Sequence, residues 1–309
     1  MTSLICGSLA FDTIMSFGGR FSEALLADQL HKINVAFLVP GIRREFGGCA
    51  GNIAYNLKLL NGDPLIMATI GQDSAPYVER LDRLGISRRC IRTIDNAYTA
   101  QAFITTDADS NQITAFHPGA MGVSHQIKVA DAGPVKLAII APDGRDGMLE
   151  HAHDCAELNI PFIFDPGQGL PMFNGAELSH FIELATFVAV NDYEAELLTE
   201  RTGLSLQQIA DHVSALVVTR GEQGAEIYTS EGRIDIPVVA ADVVDPTGCG
   251  DAFRAGMLFG LTRDMDWTTI GRLSSLMGAI KIASQGGQNH APTLDEIKDR
   301  FFKAYGYRF

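Results

Sequence analysis

Short apolar runs rich in β-branched and aromatic residues, at 4–6, 65–70, 137–141, 162–165, 187–190 and 217–219, recur along this chain. They are separated by stretches of helical spacing such as 75–84, 147–158 and 193–202. A strand that is apolar on both of its alternating faces has to be covered on both, and helices returning between parallel strands are the usual cover. The pattern therefore predicts an α/β chain in three layers, with a mainly parallel central sheet between helices. At 309 residues it is long enough to bury a large core as one unit over 1–309. In such sheets ligands collect outside the carboxyl ends of the strands. Asp165, Asn191 and Thr219 each end or follow such a run.

Two regions depart from the alternation. Residues 13–17, 32–39 and 43–46 read as strands around a polar insertion, and 99–106 with 112–116 reads as a hairpin across 107–111. They predict a separate small sheet. Strand neighbours face opposite ways, so Ala102 and Phe103 must serve different faces of it.

The chemistry is concentrated in Asp245-Pro-Thr-Gly-Cys-Gly-Asp251, which runs directly into the apolar-periodic stretch 252–261. Glycines that let the backbone curl, followed by a helix start, make an anion cradle. Gly248, Cys249 and Gly250 can present N–H groups to a transferring phosphoryl group, and Asp251 can take the proton of an attacking hydroxyl. The plainer alternative is a glycine turn capped by an aspartate. A second glycine element, Gly47-Gly48-Cys49-Ala50-Gly51-Asn52, feeds a helix over 53–60 that ends near Asn61-Gly62.

Several classes are disfavoured. A formal charge of -13 argues against a surface for nucleic-acid backbone. No secretory leader or bilayer-length apolar run is visible, so no membrane partner and a cytoplasmic location are expected. Five scattered cysteines without a Cys-x-x-Cys pair suit reduced thiols. There is no Walker-type loop, no Gly-x-Gly-x-x-Gly after the first strand, and no His-Glu-x-x-His. A nucleophilic role for Cys249 is conceivable, although its backbone N–H already explains its place.

Both glycine elements stand in order with Gly7-Ser8-Leu9-Ala10-Phe11-Asp12, Asn191-Asp192-Tyr193-Glu194 and Thr219-Arg220-Gly221-Glu222-Gln223-Gly224. This set, spanning nearly the whole chain, resembles the ribokinase-like (phosphofructokinase B type) kinases. Gly19-Arg20-Phe21-Ser22-Glu23, Leu30-His31-Lys32, Phe37-Leu38-Val39, Phe116–Met121 and Pro246 are most similar to bacterial adenosine kinases of the mycobacterial type. Departures stand at Ala36 (serine expected), Ala102 (aromatic expected) and Gly169 (glutamine expected).

The resemblance implies a ribokinase-like fold with a small β-sheet lid over about 12–46 and 98–118, which also supplies a homodimer surface. It implies ATP as donor and Asp251 as base. Asp12 and Asn52 would hold a ribose cis-diol with Ser8, Gly48 and Gln168, and Phe116 would stack on a base with Phe37 or Phe103 nearby. Asn191 and Glu194 would organise Mg2+, Glu194 through water. Thr219, Arg220, Gly221, Gly224, Gly248 and Gly250 would edge the nucleotide, and K+ would sit on carbonyls near Asp245, Thr247 and the 284–287 turn. The leading activity it implies is conversion of adenosine to AMP, a purine-salvage step. Phosphorylation of ribose or fructose, or nucleoside binding without catalysis, stay open.

Overall fold

The computed structural model describes residues 1–24, 35–109 and 111–309. In chain order the strands are β1 (Thr2–Cys6), β2 (Ala10–Ser16), β3 (Gly41–Gly47), β4 (Asp63–Ile70), β5 (Ser87–Thr93), β6 (Ala100–Thr106) and β7 (Gln112–His117). They continue with β8 (Leu137–Ile140), β9 (Phe162–Phe164), β10 (Phe187–Asn191), β11 (Ala215–Thr219), β12 (Ala225–Thr229) and β13 (Gly232–Ile236). Among the described residues they form a nine-stranded sheet, ordered β13-β12-β11-β10-β9-β8-β1-β4-β5, and a four-stranded sheet, ordered β3-β2-β6-β7.

The apolar runs are the parallel centre of the large sheet, and strand alternation sorts their side chains into two cores. Ile5, Ile66, Ile139 and Val217 face the helices Cys49–Leu59, Cys249–Leu261 and Trp267–Ile282. Leu4, Met67, Ile140 and Phe164 face Arg145–Glu157, Gly175–Leu184 and Asp192–Thr202. Each such side chain, fully buried, is worth about 1.5–3 kcal/mol, so losing either helical layer would expose half of the sheet's apolar surface. The three-layer expectation holds. The helix predicted over 75–84 is Ala75–Leu84, ended by Gly85 in the left-handed region. Only the edge departs from parallel order: β11, β12 and β13 pair antiparallel.

The small sheet joins β2 to β6 in parallel, with β3 and β7 antiparallel on its two edges. Its register aligns Glu45, Asp12, Ala102 and Phe116 in one row across the strands. Phe103 pairs with Thr13 and Ala115 on the opposite face and is 40% exposed, as strand alternation requires. β6 and β7 pair antiparallel, as the expected hairpin requires. The strand expected over 32–39 does not extend through 35–39, which is not in a strand; 32–34, like the Leu30-His31-Lys32 motif, lies outside the described residues. Phe37 instead packs with Phe17 and Phe21, ring centroids 4.8 and 5.2 Å away.

Candidate active site

The first glycine element is built around a close approach that admits no side chain. Gly48 precedes helix Cys49–Leu59 at φ 85°, and a Cβ on it would lie 2.5 Å from the Ser8 carbonyl oxygen. Ser8 caps that helix: its Oγ accepts from the Cys49 amide at 3.1 Å and its carbonyl from the Ala50 amide at 3.0 Å. One turn in, Asn52 donates through Nδ2 to Asp251 Oδ2 at 2.8 Å. Its own Oδ1 accepts from Gln288 Nε2 at 3.1 Å, and Gln288 also donates to the Tyr77 hydroxyl at 3.0 Å. Gln288 thereby fixes which way the Asn52 amide faces. No local pattern marks Gln288 in the sequence, because its partners come from distant elements.

Asp251 lies in the first turn of helix Cys249–Leu261, after Gly248 in the left-handed conformation at φ 79°. Burial pushes its carboxyl up to about 7; the Asp165 carboxylate adds to this, while the Asn52 hydrogen bond and the Arg254 guanidinium pull it back. Arg254, one helical turn on, donates to Asp165 Oδ1 at 3.1 Å, and both are buried. Asp251 is thus a carboxylate poised near neutrality, where a general base works best. The cradle differs from expectation in one donor. The Cys249 amide closes a turn on the Pro246 carbonyl at 3.2 Å, leaving the amides of Gly248, Gly250 and Asp251 as the helix-start donors. Burial also raises the Cys249 thiol to about 11, so it is no nucleophile at neutral pH.

Two cavities meet at this helix start. One, of about 560 Å³, is lined by Asp12, Gly48, Asn52, Phe116, Gly248 and Asp251, with Ser8 and Gln168 also on its wall. Asp12, on the small sheet, is raised to about 6 by burial and then by Glu45 and Asp245. Phe116, half-exposed, enters from the same row and face, on the far side of Ala102, with Met121 and Met172 nearby. The second cavity, of about 440 Å³, is lined by Thr219, Gly221, Gly224, Cys249 and Gly250 together with an apolar wall that includes Val239 and Phe253.

Some expected site residues stand elsewhere. Arg220 pairs with Glu226 at 2.7 Å and borders other hollows, not the second cavity. Phe37 and Phe103 are absent from the first cavity's wall. Asn191 and Glu194 line neither cavity and form a reciprocal helix cap. Asn191 Oδ1 accepts from the Glu194 amide at 2.8 Å, while Glu194 accepts from the Asn191 amide at 2.8 Å and from Nδ2 at 2.9 Å. Burial and the Asp165 charge nonetheless raise the Glu194 carboxyl above its ordinary value. Lone pairs on the two Glu194 oxygens remain for water, which suits a cation that keeps its own hydration shell. Among the described residues no group of three His, Cys, Asp or Glu side chains is placed to hold a metal ion directly.

Asp143 was missed by the sequence reading. It lies just beyond β8, buried, on the wall of the first cavity; Oδ1 accepts from the Gly144 amide at 2.8 Å and Oδ2 has no hydrogen-bond partner. Burial pushes it up to about 7. Its signal was the position that also marked Asp165, the polar residue after a buried run.

The chain matches the pfkB family of carbohydrate kinases over residues 19–294 and belongs to that family. It is similar to the structure of Burkholderia thailandensis nucleoside kinase in complex with inosine, at 57% identity, 99% coverage of each chain and a TM-score of 0.91. The same kinase in complex with ADP-inosine aligns at 58% identity over 99% of this chain and 97% of that one, TM-score 0.88. The nucleoside kinase of Methanocaldococcus jannaschii is 30% identical over 87% of this chain and 90% of its own length. These names support the broader class, nucleoside kinase, rather than the adenosine-specific type that the sequence resemblance singled out.

Proposed function

We propose that this protein transfers the γ-phosphoryl group of ATP to the 5′-hydroxyl of a nucleoside, with a purine nucleoside such as adenosine as acceptor. The observation that carries the reading is the position of Asp251, a carboxylate raised to about 7 at the helix start where the two cavities meet. In the first cavity, Asp12 and the Asn52 amide are suited to the ribose diol, and Asp251 receives the proton of the attacking hydroxyl. The Gly248, Gly250 and Asp251 amides face the charge that spreads over the phosphoryl oxygens. The second cavity takes the nucleotide, with Thr219, Gly221 and Gly224 along its edge. Mg2+ carried by ATP neutralises phosphate charge, and Glu194 is the residue proposed to bond its waters. Asn191 contributes by fixing the Glu194 carboxylate.

The size of the acceptor cavity and its apolar lining by Phe116, Met121 and Met172 favour a nucleoside over free ribose or fructose. The small sheet is proposed to close over the acceptor and exclude water that would otherwise be phosphorylated. Its outer face exposes Ile42, Phe103 and Ile113, which supports a homodimer there, to be checked by sedimentation. The protein has no helix, among the described residues, long and apolar enough to cross a membrane, and a cytoplasmic place fits a consumer of ATP. The direct test is product identity. Incubation with ATP and adenosine or inosine should give the 5′-monophosphate by phosphorus NMR; phosphate on another hydroxyl, or no transfer to any nucleoside, would refute the assignment.

A further inference from the structure

The segments expected to hold a monovalent cation are both present, and they are joined by a cation that belongs to the chain. Lys281, near the end of helix Trp267–Ile282, is fully buried. Its Nζ donates to the Asp245 carbonyl at 2.7 Å and to the Ser284 carbonyl at 3.0 Å. Three more hydrogen bonds tie the same stretches of chain. Asp245 Oδ2 accepts from the Gly286 amide at 2.8 Å, and the amides of Val244 and Asp245 donate to the Ile282 carbonyl at 2.9 and 3.1 Å. Asp245 Oδ1 accepts from the Thr247 amide at 2.9 Å, which sets the turn leading into Gly248. The ammonium therefore sits at the root of the loop that becomes the anion cradle.

We infer that the Lys281 ammonium is the built-in occupant of the monovalent-cation position, so that the cradle is held in place without K+ or Na+. A potassium ion and a lysine ammonium do the same work on carbonyl oxygens: each brings one positive charge and draws several oxygen dipoles towards one point. Two of them cannot share the same carbonyls, because like charges that close in a poorly solvated site repel strongly. A free ion would also have to displace an ammonium whose entropic cost of ordering is already met by its tether. Burial pulls the Lys281 pKa below the ordinary lysine value, and the neighbouring Cys249 and Asp245 act to hold it up. The expected K+ dependence is thus replaced by a positioning residue: Lys281 touches neither cavity and acts through the Asp245–Gly248 turn.

The test compares the full-length protein and Lys281→Met in buffers whose only monovalent cation is tetramethylammonium, with K+ or Na+ then added. Wild-type turnover, followed by ADP release, should change by less than about twofold on adding K+. Lys281→Met should lose at least about tenfold in kcat without K+ and regain most of it saturably with K+, its melting temperature rising in parallel. A merely structural lysine would give a loss that K+ does not restore. Activation of the wild type by about fivefold or more on adding K+ would overturn the inference, as would a folded Lys281→Met indifferent to K+. If the variant fails to fold, its refolding yield decides: recovery in K+ but not in tetramethylammonium supports the inference, and equal failure in both overturns it. The melting and refolding measurements use no acceptor, so they stand even if the nucleoside reading fails.

Discussion

Replacing Asp251 with asparagine removes the proton acceptor while leaving its shape. The amide oxygen can still accept from Asn52 Nδ2, the bond that joins the two glycine elements at 2.8 Å. The Arg254–Asp165 pair and the second cavity are untouched, so ADP should bind within about threefold of wild type. Turnover should not survive. General-base catalysis contributes about 10²–10⁴-fold, so kcat should fall by at least 100-fold, or about 3 kcal/mol of barrier. The wild-type pH profile is the companion reading. The raised carboxyl, near 7, must be ionised to act as a base, so kcat/KM should climb with pH and level off above about 7. At about one pH unit below that pKa, only about one-tenth of the plateau remains. Asp251→Asn should flatten that limb. ADP release coupled to an indicator enzyme, with calorimetry for ADP binding, measures both. A variant with kcat within a few-fold of wild type, or a wild-type profile unchanged between about pH 5.5 and 8, would refute the assignment of Asp251 as base.

Two further perturbations follow from the same geometry. Glu194→Gln keeps the helix cap, since glutamine serves at that position, so the melting temperature should shift by no more than a few degrees while the Mg2+ needed for half-maximal rate rises several-fold; an unchanged Mg2+ requirement would confine Glu194 to capping. Gly48→Ala places a Cβ 2.5 Å from the Ser8 carbonyl oxygen at φ 85°, which should cost at least about 2 kcal/mol in urea unfolding and lower turnover by shifting helix Cys49–Leu59; a loss under about 0.5 kcal/mol would show that the approach is not tight.

The large sheet was legible because its strands are apolar on both faces, and only a doubly covered parallel sheet accommodates that. The β12–β13 edge went unread: Gly232–Ile236 is only buried at Ile236, and a half-exposed strand carries a weaker signal than β8 or β10. Asp251, Asn52 and Gly48 were readable because glycine-rich turns at helix starts leave a mark in the local sequence, whereas Asp12, inside β2, was singled out only by the resemblance. The alternation rule put Ala102 and Phe103 on opposite faces; that Ala102 is the one beside Asp12 is a matter of cross-strand register, which alternation does not give. Gln288 and Lys281 act through bonds to distant segments, and nothing near them in the chain announces it; Asp143 carried the same mark as Asp165, a polar residue after a buried run. Arg220 was misplaced for a related reason: its partner, Glu226, belongs to the hairpin that the apolar pattern did not show.

The most direct test is the specificity constant of the wild-type protein, with saturating ATP and Mg2+, for adenosine, inosine, ribose and fructose in one ADP-release assay. A cavity lined by Asp12 and Asn52, the groups proposed for the ribose diol, and by Phe116, Met121 and Met172 rewards a ligand with both a ribose and a flat base. A purine nucleoside should therefore exceed either free sugar by at least about 100-fold in kcat/KM. Ribose or fructose preferred over every nucleoside would contradict the account and move the chain to the sugar-phosphorylating members of its family.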